Sequence, residues 1–201
     1  MKKSILLITF NSFVTIPILL VLSLSLTNWE LEMATSIEDL PSPKTLMLQF
    51  VFFMLGEDIF FHLWHRFMHW PPIYPYIHKM HHEHKVTIGL AGEYTHPIQF
   101  MVDVAISSLT GSLILGKQVH FCTHLLWTVM RICENLDGHC GYEFSWSPYR
   151  LLPFSASAVY HDFHHLHNIG NYSSLFTLWD SVYGTNVAYY RHRQEIEYKK
   201  I

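Results

Sequence analysis

The chain has 201 residues, 50% of them apolar and only 14% charged, with a formal charge of −3 when histidine is neutral. That length fits one domain, the apolar content argues against disorder, and the slight negative charge argues against a nucleic-acid partner, which calls for a basic surface. Charged residues fall well below the usual share of a soluble chain, which points to a membrane, and three cysteines without a CxxC pair speak against a disulfide scaffold or a thiolate zinc finger.

Ser4 to Thr27 carries no charged residue. At 1.5 Å per residue it can cross a hydrocarbon core of roughly 30 Å. A cleaved leader has a shorter apolar core and a small-residue cleavage site, so this segment reads as an anchor, with Pro17 a candidate kink. Thr45 to Phe61 is a second apolar run, with Glu57 and Asp58 near its end. Two histidine clusters follow, His65-Arg66-Phe67-Met68-His69 and His78-Lys79-Met80-His81-His82. Ile98 to Leu115 and Val119 to Leu136 are weaker apolar segments, separated by Gly116-Lys117-Gln118 and carrying Asp103, Arg131 and Glu134. They read as spans packed in a bundle or as helices lying in the interface. A third histidine cluster is His161-Asp162-Phe163-His164-His165. The tail Tyr198-Lys199-Lys200-Ile201 is close to a dilysine retrieval signal but out of register. No segment alternates like a strand, so the chain reads as mainly helical.

Positive charge sets orientation. If all four segments cross, ten Lys and Arg share the side of the histidine clusters, and only Lys44 and Lys117 lie opposite. The clusters are therefore expected in the cytosol. With two spans and an embedded hairpin they stay on the same side.

The clusters carry the chemistry. On a helix, positions i, i+3 and i+4 lie on one face, so each HxxHH can aim three imidazoles at one place and the HxxxH can add two. Eight nitrogens exceed the four of one tetrahedral zinc and suit two metals of higher coordination number. At this histidine content chance gives roughly 0.1 HxxHH match, yet the chain has two. Imidazole suits zinc, copper, iron and nickel alike. No HExxH is present, which disfavours a zincin protease. Carboxylate di-iron bundles need two ExxH motifs, and only Glu93-Tyr94-Thr95-His96 occurs. A histidine-dominated di-iron centre fits best, with His65, His69, His78, His81, His82, His161, His164 and His165 as ligands. Asp58, Asp137 and Asp162 are expected to offset the metal charge and hold the far nitrogens of ligand rings. His62, His84, His120, His124, His167 and His192 read as packing, surface or orienting residues. Phe53, Phe60, Trp64 and Trp127 could wall a lipid pocket or simply pack.

HxxxH, a close HxxHH and a distant HxxHH beside apolar spans resemble the fatty acid hydroxylase and sterol desaturase superfamily. Within it the chain is most similar to the C-4 methylsterol monooxygenases. Further stretches carry that likeness: Gly56-Glu57-Asp58, Glu93-Tyr94-Thr95-His96-Pro97, His139-Cys140-Gly141-Tyr142, Leu152-Pro153-Phe154, Ile169-Gly170-Asn171-Tyr172-Ser173-Ser174, Trp179-Asp180 and Gly184-Thr185. The likeness covers roughly residues 48–186. It implies two iron ions, with His96 and His139 as added ligands. It also implies O2 as co-substrate and electrons from NAD(P)H through a reductase and cytochrome b5 or a similar carrier. The expected place is the endoplasmic reticulum membrane, multi-pass, with the metal site facing the cytosol. The expected reaction is hydroxylation of a sterol C-4 methyl group in sterol biosynthesis. A fatty acyl or sphingolipid hydroxylase or desaturase, a zinc-binding membrane protein and a catalytically dead paralogue are the alternatives. The chain ahead of the first cluster is shorter than the likeness leads one to expect, which implies a shortened form or an incomplete sequence. Cys140 stands where that branch commonly has serine, and His62 is one place beyond an expected histidine. The expected architecture is all-α, with transmembrane helices and a cytosolic histidine-rich helical cap holding a two-metal site. An anchor and lumenal loop over residues 1–44 would precede a catalytic domain over 45–201.

Overall fold

The computed structural model describes residues 1–26 and 33–199, without the side chains of residues 108–110, 112 and 113. Thr27, the acidic loop residues Glu30 and Glu32, and Lys200 and Ile201 of the tail lie outside the described residues. Nine α-helices make up the described chain: α1 (Lys2–Phe10), α2 (Ile16–Leu26), α3 (Pro43–Met68), α4 (Pro97–Val104), α5 (Thr110–Leu115), α6 (Phe121–Gly138), α7 (Ala158–His167), α8 (Leu178–Tyr183) and α9 (Val187–Tyr198). Among the described residues there is no strand, only the isolated bridges Ala34 to His120 and Ser155 to Phe176. The chain divides into two compact units: Met1–Glu57 with Glu93–Cys133, and Asp58–Gly92 with Glu134–Ile201.

In the first unit, α1 and α2 run on through a π turn at Asn11–Thr15. Pro17 has no N–H for the carbonyl four residues earlier, and the widened turn lies just ahead of it. Asn11 and Thr15 are buried polar residues in an apolar helix. Thr15 Oγ1 lies 3.2 Å from Asn11 Oδ1, and Asn11 Nδ2 donates to the Thr95 carbonyl at 3.0 Å. The stretch Lys2–Leu26 and the 26-residue α3 are both long and apolar enough to cross a membrane. The two weaker segments do not reach that standard, for identifiable reasons. The first is a shorter apolar helix over Pro97–Ser107 among the described residues, and α6 carries Arg131 and Glu134. The Arg131 guanidinium is buried and bonds Glu57 Oε1 at 2.8 Å. Trp127 packs edge-on against Phe50 and Phe53, with centroids 5.8 and 5.5 Å apart. Those contacts make Phe53 and Trp127 core residues, whereas Phe60 is exposed.

The second unit is built around histidines. The last eleven residues of α3, Asp58 to Met68, enter it. Helix α7 starts at Ser157, whose hydroxyl accepts from the Tyr160 N–H, and stops at Asn168 in the left-handed conformation. His161, His164 and His165 lie on its buried face. The second cluster departs from the helical expectation. Pro71, Pro72 and Pro75 precede it and withhold backbone donors. Residues 71–80 form successive turns that lead into a 3-10 turn at His81–Glu83.

Candidate metal centre

Nine histidines of the second unit converge in two groups: His65, His69, His78, His82 and His164, and then His81, His139, His161 and His165. Within each group the ring nitrogens all lie within 4.8 Å of one another. All eight histidines of the three clusters are included, joined by His139. The sequence pattern suggested that each HxxHH aims three rings at one place. The structure divides them. His78 and His82 enter the first group and His81 the second, while His161 and His165 enter the second group and His164 the first. On α7 the reason is angular: i+4 lies about 40° to one side of i, and i+3 about 60° to the other. The i, i+4 pair therefore shares a group, and the i+3 ring crosses to its neighbour.

The spacings fit ions. Two nitrogens bound at right angles to one ion, each about 2.1 Å from it, lie about 3.0 Å apart. The Nε2 atom of His78 is 3.1 Å from that of His65 and 3.0 Å from that of His82. His69 and His164 approach to 3.2 Å. In the second group, His161 Nε2 is 2.9 Å from His139 Nε2 and 3.2 Å from His165 Nε2.

Hydrogen bonds among rings leave the buried Nδ1 atoms of His82 and His165 without a partner, and three rings are fixed with their Nε2 lone pairs turned toward neighbouring nitrogens. His65 Nδ1 donates to the Tyr172 carbonyl at 2.9 Å, His164 Nδ1 to the Gly170 carbonyl at 2.5 Å, and His139 Nδ1 to the Asn135 carbonyl at 2.8 Å. A neutral ring that donates from Nδ1 presents a lone pair at Nε2. Burial keeps the rings neutral. It pushes His69, His82, His161, His164 and His165 far below the usual imidazole range, and neighbouring imidazoles add to the effect. Burial also lowers His139 to about 4, against the opposing pull of the Asn135 carbonyl and Asp162. A buried set of neutral nitrogen donors is what a divalent transition metal requires.

The three carboxylates named from the sequence sit around the unit in different ways. Asp58 Oδ1 accepts from the backbone N–H groups of Ser174, Leu175 and Phe176 at 3.3, 2.8 and 3.3 Å. Asp137 pairs with Arg150 at 2.7 Å. Asp162 accepts from the Thr87 hydroxyl, and its charge favours the protonated form of His139. The far nitrogens of His65, His139 and His164 are held by backbone carbonyls. His96 is in the first unit, where its Nδ1 caps α4 by accepting from the Ile98 N–H at 3.2 Å.

Sequence reasoning gave no role to Asp180. It is fully buried, and its carboxylate accepts from the N–H groups of Tyr172 and Ser173 at 2.8 and 3.0 Å, the Tyr160 hydroxyl at 2.9 Å and the Thr185 hydroxyl at 2.5 Å. His62 Nδ1 lies 3.4 Å from the same carboxylate, and its ring stacks on Tyr183. Asp180 thus fixes the loop whose Tyr172 carbonyl orients His65. A Trp-Asp dipeptide holds no signal for that role, because two of the four donors are backbone N–H groups.

The sequence matches the profile of the fatty acid hydroxylase family over residues 50–185. It is 40% identical to methylsterol monooxygenase erg25B of Aspergillus fumigatus over 153 residues, covering 72% of this chain and 50% of the relative. It is 36% identical to methylsterol monooxygenase 1 of Gallus gallus over 162 residues, 79% of this chain and 52% of the relative. Methylsterol monooxygenase 2-2 of Arabidopsis thaliana is 37% identical over 155 residues, 76% of this chain and 57% of the relative. The chain spans about half the length of the curated relatives it matches. No solved structure matches it.

Proposed function

The chain belongs to the fatty acid hydroxylase family, and on that premise we propose that it is an O2-dependent di-iron monooxygenase that oxidises a C-4 methyl group of a membrane sterol. The observation that carries the proposal is the convergence of nine imidazoles, eight of them buried, in two groups. The sterol assignment is supported by the names of the relatives. The proposed setting is the endoplasmic reticulum membrane with the histidine unit on the cytosolic side. Electrons come from NAD(P)H through a reductase and a cytochrome b5-type carrier.

The donor set fits iron, since imidazole accepts it and the five-histidine group exceeds the four ligands of tetrahedral zinc. Bound iron supplies the O2 and redox chemistry. The balance is one C–H bond, O2, two electrons and two protons giving an alcohol and water. This chain supplies placement. The carbonyls of Tyr172, Gly170 and Asn135 hold the proton of His65, His164 and His139 on Nδ1, which leaves each Nε2 free to bind. Burial of His78, His82, His164 and His165 keeps bulk water from competing for those nitrogens. Asp58, Asp137 and Asp162 keep the loops around the rings in place and partly offset the positive charge.

The test is elemental analysis of the detergent-purified, iron-replete protein, alongside His82→Ala and His161→Ala. The proposal expects about two irons per chain, with each variant losing mainly the ion of its own group. Turnover of a 4-methylsterol with NAD(P)H, reductase and cytochrome b5 then tests the substrate. Zinc, or no metal, in the iron-replete protein overturns the di-iron reading. Two irons with no 4-methylsterol oxidation overturns the sterol reading alone.

A further inference from the structure

The loop between His139 and His161 exposes large apolar side chains. Tyr142, Trp146, Leu151 and Phe154 are 70, 76, 86 and 69% exposed. Their number and closeness in sequence mark a contact surface rather than scattered exposure. The ring of Phe144 lies 5.0 Å from Trp146 and 6.1 Å from Tyr142, so the aromatics form one cluster. Phe154 adopts φ 59°, which is costly for a bulky residue.

The loop's charges are satisfied within it. The Arg150 guanidinium bonds Glu143 at 2.5 Å, Asp137 at 2.7 Å, the Ala156 carbonyl at 2.7 Å and Ser155 Oγ at 3.2 Å. The apolar tips therefore project from a braced frame whose charge is already balanced.

The loop is also fixed in level along α3. The Thr177 N–H donates to the Phe154 carbonyl at 2.7 Å, and the Ala156 N–H to the Leu175 carbonyl at 2.9 Å. Residues 174–176 in turn donate to Asp58. Asp58 lies ten residues before the end of α3 at Met68, about 15 Å along the helix axis. Between them α3 leaves Phe60, Leu63 and Phe67 exposed. The loop is thus level with the part of α3 that still shows apolar side chains outward. Trp and Tyr are enriched where a membrane meets water.

We propose that residues 142–154 seat on the lipid bilayer and bury Trp146, Leu151 and Phe154 at the boundary between headgroups and acyl chains. A lipid surface is the occupant because the loop is tied to the apolar stretch of a helix fit to span the membrane. The inference requires that α3 cross the bilayer, but it is independent of the metal and of the sterol.

The test uses the full chain in phosphatidylcholine vesicles with Cys122, Cys133 and Cys140 each changed to Ser. A bimane label is placed on Trp146→Cys, Leu151→Cys, Phe60→Cys or Glu195→Cys, all exposed positions. Brominated lipids are expected to quench positions 146 and 151 roughly two-fold, as befits a shallow insertion, and position 60 as well, while position 195 on α9 stays unquenched. Quenching at 60 but not at 146 and 151 overturns this proposal alone. No quenching at 60 overturns it together with the membrane reading of α3. A label at 151 that is shielded from iodide yet untouched by brominated lipid means that protein covers the loop, and also overturns it.

Discussion

Asp180 shows how much of the centre depends on a residue that touches no ion. Its carboxylate holds two backbone N–H groups and two hydroxyls. An amide can reproduce only part of that acceptor set and adds two donors of its own. Asp180→Asn is expected to lower stability by about 1.5–3 kcal/mol, the range for hydrogen bonds to a charged group. Metal should be lost first from the five-histidine group, because the Tyr172 carbonyl that orients His65 is carried by this loop. Thermal unfolding and elemental analysis of the purified variant check both outcomes. The eight cluster histidines were legible in the sequence because their spacing is itself a helical pattern. His139 was legible only through family likeness, being a lone histidine after a helix. Asp180 was not legible as a support, since acceptance of backbone N–H groups leaves no mark on composition or spacing.

At the scale of elements, the turn at residues 168–171 places the Gly170 carbonyl against His164. Asn168, Gly170 and Asn171 all have positive φ, at 58, 58 and 52°. A Cβ on Gly170 would collide with the Thr185 carbonyl oxygen, which is backbone and cannot step aside cheaply. Gly170→Ala is therefore expected to destabilise the fold by more than the roughly 1 kcal/mol of the conformational penalty alone. It should also loosen His164, seen as a lower melting temperature and a weaker hold on metal during chelator dialysis. The apolar runs made the long helices legible. The turns through the second cluster were missed because the i, i+3, i+4 pattern also arises in successive tight turns. Only Pro71, Pro72 and Pro75 distinguish the two. A π turn lies just ahead of Pro17, where the sequence suggested a kink.

For the whole molecule, composition pointed to a membrane, and two helices have the length and apolarity to cross one. The interleaving of the compact units was not legible, because residues 58–92 and 134–201 are joined by contacts that leave no local trace. The first unit likewise holds a long-range contact, the buried Arg131–Glu57 pair. Arg131→Met leaves the Glu57 charge without its guanidinium, and losing one partner of a buried pair typically costs about 3–5 kcal/mol. The double variant Glu57→Gln, Arg131→Met should recover part of that loss in thermal unfolding. Removal of metal acts on the second unit. With the ions gone, the Nε2 lone pairs of His65, His139 and His164 would lose their metal partner inside a buried cluster. Chelation is expected to lower the melting temperature, and added Fe(II) to restore it, by the linkage between metal binding and folding.

The crossing of the i+3 rings bears on how the protein matures. The segment 78–82 and helix α7 each present nitrogens to both groups. An ion entering one group sets the backbone that carries ligands for the other, so the second vacancy is preorganised by the first arrival. Stepwise addition of Fe(II) to the stripped protein should then give a sigmoidal loading curve. Half-filled molecules would be scarce in native mass spectra.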